Sequence, residues 1–173
     1  MGRTTINAVF TKEDWEKYNE YAKMVKRDLE VSKLPKDRQE EIFNVLAYNE
    51  QMRMAANRIG AERNAVIEKQ KEAVARYKKE PNDYKAKQIE EEFIKLKEQS
   101  AKLNEERNYF LQKFHGTSSR AVALDNEMNE ALIKQGYKIG KDGRPRKGEG
   151  WRQSATAKIR TSTKTSSTKP KMM

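Results

Sequence analysis

Cysteine is absent from the chain, and histidine occurs once, at His115. Disulfides, thiol nucleophiles and Cys/His zinc sites are thereby excluded. Apolar residues are scarce as well. Hydrophobic side chains make up 35% of the 173 residues and charged ones 36%, so a thick globular core is not expected and a thin or partner-dependent one is. No apolar run approaches the roughly 18 residues of a membrane span. The first residues lack the apolar stretch of a signal peptide. Met1-Gly2 opens as a myristoylation site does, but Ile6 stands where Ser or Thr is wanted.

Acid is missing from one end only. Residues 1–137 carry 26 basic and 24 acidic side chains, whereas residues 138–173 carry 11 and 2, with no acid beyond Glu149. Almost the whole net charge of +11 therefore sits in the last fifth of the chain. Five of the eight glycines fall within 136–150, and nine of the fifteen residues from Ser154 to Thr168 are Ser or Thr. Such a stretch buries too little apolar surface to offset its ordering entropy, so alone in solution it is expected to be disordered. The boundary falls at Gly136–Gly140.

The remainder reads as helix. Thr4–Phe10 alternates and suggests a short strand or extended arm. Thr11 looks like an N-cap, with Glu13 and Asp14 in the first turn. Trp15, Tyr18, Ala22, Val25 and Leu29 then form one helical stripe. Pro35 opens the next helix. From there to Gly116, apolar residues recur in alternating steps of 3 and 4 on both sides of Glu80-Pro81-Asn82-Asp83, a helix stop followed by candidate caps. Folding the halves antiparallel about that turn sets Met52 opposite Phe110, Ile59 opposite Leu103 and Val66 opposite Leu96. Arg63 then faces Ser100, Ala56 faces Arg107, Gln70 faces Phe93 and Asn49 faces Phe114. Val45, Met52, Ile59, Val66, Phe93, Leu96, Leu103 and Phe110 form the expected seam, in arms of roughly 50–60 Å. Gly116 reads as a stop, and Thr117–Ser119 as caps of a last helix striped by Ala121, Leu124, Met128, Ala131 and Leu132.

The expected fold is thus all-α: an antiparallel, coiled-coil-like hairpin with shorter flanking helices, an N-terminal strand or arm and a basic flexible tail. Its segments are 1–34, 35–116, 117–136 and 137–173.

Chemistry finds little foothold in this pattern. His115 has no partnered nucleophile or second ligand nearby and reads as a helix-end residue facing the dipole. Glu90-Glu91-Glu92 point about 100° apart on a helix, so they cannot converge on one ion. Gly140-Lys141-Asp142-Gly143-Arg144-Pro145 is glycine-rich but not a phosphate-binding loop, and Asp142-Gly143 reads as a turn. No catalytic, metal or cofactor residues are expected, and the chain reads as a non-enzyme. The tail differs. Arg144, Arg146, Lys147 and Arg152 surround Trp151, giving charge plus one stacking surface, and Lys158, Arg160 and Lys164 follow among hydroxyls. Contact with a phosphate backbone or an acidic protein surface is the expected use.

From Pro35 to Met173 the layout of charged hairpin, Gly-rich joint and Lys/Ser/Thr tail resembles small helical virion proteins of tailed bacteriophages, including head-associated, scaffold-like and connector-like components. The resemblance implies a structural or assembly role in a virion or the cytoplasm. It also implies partners among other protein subunits, in a homo-oligomer or larger assembly, with nucleic acid as a candidate partner of the tail and no membrane. The alternative is a ribbon-helix-helix-like DNA-binding protein, in which Thr5, Asn7 and Val9 on a paired strand would face the bases.

Overall fold

The computed structural model describes residues 2–139 and 145–147. Four helices dominate: α1 Ile6–Val9, α2 Lys12–Ser32, α3 Lys36–Lys79 and α4 Asp83–Lys134. A small antiparallel ladder follows, β1 Tyr137–Ile139 on β2 Pro145–Lys147, with Lys138 opposite Arg146. The fold is all-α with a helical hairpin, as the sequence pattern requires. By contact, the chain divides into two compact units.

The first unit combines the chain up to Tyr18 with Tyr48–Thr117. Thr4–Phe10 is not a strand here. Thr5 caps α1, its side chain accepting from the Ala8 N–H, and the adjacent residues Val9 and Phe10 are both buried. A strand would send those two side chains to opposite faces; a helical turn lets both go inward. Trp15 then packs edge to face with both Phe10 and Tyr18, at centroid distances of 4.9 and 6.0 Å, while Phe10 and Tyr18 lie tilted at 6.5 Å. The Thr11 cap forms as expected, and reciprocally: Asp14 N–H donates to Thr11 Oγ1 and Thr11 N–H to Asp14 Oδ2. The arms of the hairpin, α3 and α4, bury Met52, Ile59, Val66, Leu103 and Phe110, while Phe93 and Leu96 of the expected seam are only half-buried. At the turn, Asn82 caps α4 by accepting from the Lys85 N–H.

Polar contacts between the arms fall later along α4 than the sequence pairing places them. Arg63 donates to Asn104 at 2.9 Å, four residues beyond Ser100, and the Arg107 side chain lies against Gly60, four residues beyond Ala56. Both displacements amount to about one helical turn. Helical side chains lean toward their own N-terminus, so long ones in an antiparallel pair meet beyond the level at which their Cα atoms face. Asn49, with a short side chain, keeps its expected neighbour and donates to the Phe114 carbonyl at 3.1 Å.

Gly116 does not end a helix; α4 runs through it to Lys134. The Thr117 hydroxyl, expected to cap forward, instead donates back to the Lys113 and Phe114 carbonyls and accepts from Asn49. His115 is therefore an exposed mid-helix residue and not a helix-end one. A Cβ at Gly116 would meet nothing within 4 Å. Glycine inside a helix costs ~0.5–1 kcal/mol against alanine. Gly116→Ala should raise stability by about that much, read as a higher urea midpoint. A lower midpoint would mean the bare Cα is needed.

The second unit combines Asn19–Ala47 with the chain from Ser118 on. Three helical segments enclose Val25, Leu29, Ile42, Leu46, Ala121, Leu124, Met128 and Leu132. Four of the five residues in the predicted stripe of the last helix, all but Ala131, form its share of this core. Val45, assigned by sequence to the hairpin seam, packs against this cluster. Lys33 takes a positive φ of 62° to turn α2 into α3, and Gly136 takes 95° to end α4. Arg38 forks onto Glu127 at 2.5 and 3.0 Å and also meets Glu41, which Arg120 reaches too.

Candidate interaction surfaces

The hairpin end stands out by what it leaves uncovered. From Val74 to Lys102 no residue is buried. Yet this run carries Val74, Tyr77 (47% exposed), Tyr84 (72%), Ile89, Phe93 and Ile94. Two antiparallel helices with no third neighbour bury only a narrow shared stripe, so apolar groups beside it stay wet. Ala73, Val74 and Tyr77 of α3 face Ile89 and Phe93 of α4 across an open groove of about 310 Å³. Lys78 and Glu90 stand at its rim, and Arg76 pairs with Glu92 at 2.5 Å. Phe93 was legible as a seam residue. Val74 and Ile94 were missed because they lie off the 3–4 stripe; their only signal was bulk apolar character beside it.

A second feature ties the N-terminal arm to the hairpin. Arg3 donates to Glu62 at 2.6 Å and to Glu106 through its side chain at 2.7 and 3.0 Å and its backbone N–H at 2.8 Å. Gly2 makes this approach feasible, since a Cβ there would stand 2.6 Å from Glu106 Cγ. Burial pushes the Glu106 carboxyl up, but the Arg3 hydrogen bonds outweigh it and hold the group below its ordinary range. Arg58 forks onto Asp14 at 2.8 and 2.9 Å and depresses that carboxyl in the same way. In the second unit Arg38 lowers Glu127. These groups fix geometry.

Their linkage to pH has a definite sign. A carboxyl depressed on folding contributes stability that is complete above about pH 5 and lost as pH falls through its folded-state value. Urea midpoints should be flat near neutrality and decline in acid. The Asp14→Asn, Glu106→Gln double variant should flatten that decline; an undiminished acid limb would place the linkage elsewhere.

Of the predicted tail contacts, Arg146 and Lys147 lie on β2. The basic segment opens with a short ladder, in which Tyr137–Ile139 and Pro145–Lys147 pair. Arg144, Trp151, Arg152, Lys158, Arg160 and Lys164 lie outside the described residues. Among the described residues no group of three or more His, Asp or Glu could hold a metal ion, and no helix is long and apolar enough to cross a membrane.

By its fold the chain is a charged all-α hairpin protein. No family model matches it, and neither the curated proteins nor the solved structures contain a match.

Proposed function

We propose that the chain is a non-enzymatic structural or assembly protein, a capsid- or head-associated component of a bacteriophage virion that docks through its helices and anchors by its basic tail. The observation that carries the reading is the run Val74–Lys102, an ordered helical end that bears large apolar side chains and buries none of them. Covering apolar surface is worth about 25 cal/mol per Å², and contiguous exposed patches mark interaction sites. The nearly neutral body and the strongly basic residues 138–173 divide the work: protein contacts through the helices, then an acidic surface or a nucleic-acid backbone through the tail. The layout from Pro35 onward supports the virion assignment.

The ribbon-helix-helix reading needs an extended Thr4–Phe10, and that stretch contains a helical turn instead. The test is co-sedimentation in the native host. A tagged full-length chain should band with particles of virion size on a density gradient. Recovery only in the light fractions would overturn the proposal.

A further inference from the structure

The groove at the hairpin end has an unusual rim. Its floor is apolar, from Ala73, Val74, Tyr77, Ile89 and Phe93. Its rim carries one cation from α3, Lys78, and one anion from α4, Glu90, both exposed. We infer that this groove docks on the same groove of a second copy of the chain, in a two-fold contact that sets each Lys78 against the other copy's Glu90. The inference rests on the assembly reading and names its first partner.

Three features select this occupant. A two-fold axis makes a surface meet itself, so the surface must be self-complementary, and one positive and one negative rim residue on an apolar floor satisfy that condition. The wider run from Val74 to Lys102 is likewise mixed, with eight basic and six acidic residues. A nucleic-acid ligand would find one rim residue of matching sign, Lys78, and one of opposing sign, Glu90, over an apolar floor. Finally, this end is a bare two-helix layer, and two such layers stacked face to face make a four-helix bundle with an apolar centre. Tyr77 suits the edge of that centre, since its ring can be buried while its hydroxyl stays at the polar rim.

The charge pattern provides a test that ordinary surface mutagenesis lacks. The full-length chain should dimerise reversibly in a sedimentation-velocity dilution series. Tyr77→Glu places a charge on the apolar floor and should leave a monomer with unchanged far-UV circular dichroism. Lys78→Glu alone makes both rim contacts acid against acid, and Glu90→Lys alone makes both base against base. Each should weaken self-association by roughly tenfold, since exposed ion pairs are individually small but here change sign twice. Mixed in equal amounts, the two charge variants should form a heterodimer about as tight as the parent dimer.

A parent chain that stays monomeric at all concentrations would overturn the inference. So would charge variants that do not restore one another when mixed, because the contact would then not be two-fold through this rim. Either failure, in a chain that still bands with large particles, removes the self-docking groove and leaves the assembly reading standing. Mutual restoration in a chain that never bands with particles does the reverse.

Discussion

Phe110→Ala should destabilise the chain by about 3–5 kcal/mol, the cost of emptying an aromatic site that its surroundings cannot refill. Phe110 is 1% exposed, and Ile59, Ala55 and Ala56 of α3 are buried with it in the same unit. Ala55 and Ala56 carry side chains of a single carbon, so neither can swing in to close the gap. Two helices of this length are also stiff, which limits collapse of the backbone onto the cavity. A typical domain is stable by only about 5–15 kcal/mol, so a loss of this size removes a large share of the total. Tyr84→Ala, at a residue 72% exposed, is the control and should change stability by less than about 0.5 kcal/mol. Urea denaturation of the two variants decides the matter; a Phe110→Ala effect as small as the control's would mean that the hairpin is not held by its seam.

Truncation after Tyr137 should produce the opposite phenotype, an intact fold with lost electrostatic binding. It removes 11 basic and 2 acidic residues, leaving 26 basic and 24 acidic. The helical cores lie before this point, so the far-UV spectrum per helical residue should persist. If the parent binds nucleic acid, its affinity should fall steeply with salt, by roughly 10³–10⁵ between 50 and 200 mM for 6–10 phosphate contacts. Sequence preference should be slight, because backbone contacts carry no base information. If the parent binds an acidic protein groove instead, Trp151→Ala should weaken docking more than any single Lys→Ala. Unchanged binding by the truncated chain to DNA and to assembled partner complexes, at low and moderate salt, would leave residues 138–173 with a solubilising role.

Much of the fold could be read from spacing because long helices repeat their signal many times. Ala121, Leu124, Met128 and Leu132 were placed on one face by a period of 3.6, and that face is the core of the second unit. Pro81 marked the hairpin turn because proline cannot continue a helix, and the Asn82 cap confirms the restart. Short or isolated signals failed. Ile6–Val9 is a single turn, too brief for its period to be distinguished from alternation. Gly116 looked like punctuation, but a helix held by a Thr117 back-bond and an Asn49 cross-link tolerates one glycine. The β1–β2 ladder involves three residues a side and left no alternation to detect. The groove at the hairpin end was legible in part. Its Phe93 lay on the stripe, whereas Val74 stood off it, and only the packing of the two arms reveals which apolar side chains go uncovered.

The absence of buried side chains between Val74 and Lys102 also sets a gradient of opening along the hairpin. There the backbone amides are protected by helical hydrogen bonds with little side-chain packing to lock them, so they exchange with solvent through cheap local fraying. Amides flanking Ile59 and Phe110 must wait for a far costlier, nearly global event. Deuterium should therefore enter at the Pro81 turn and advance inward along both arms. Whatever seats on the groove would retard exchange first at the fastest residues, so the loosest stretch of the free chain is also the most sensitive gauge of its occupancy.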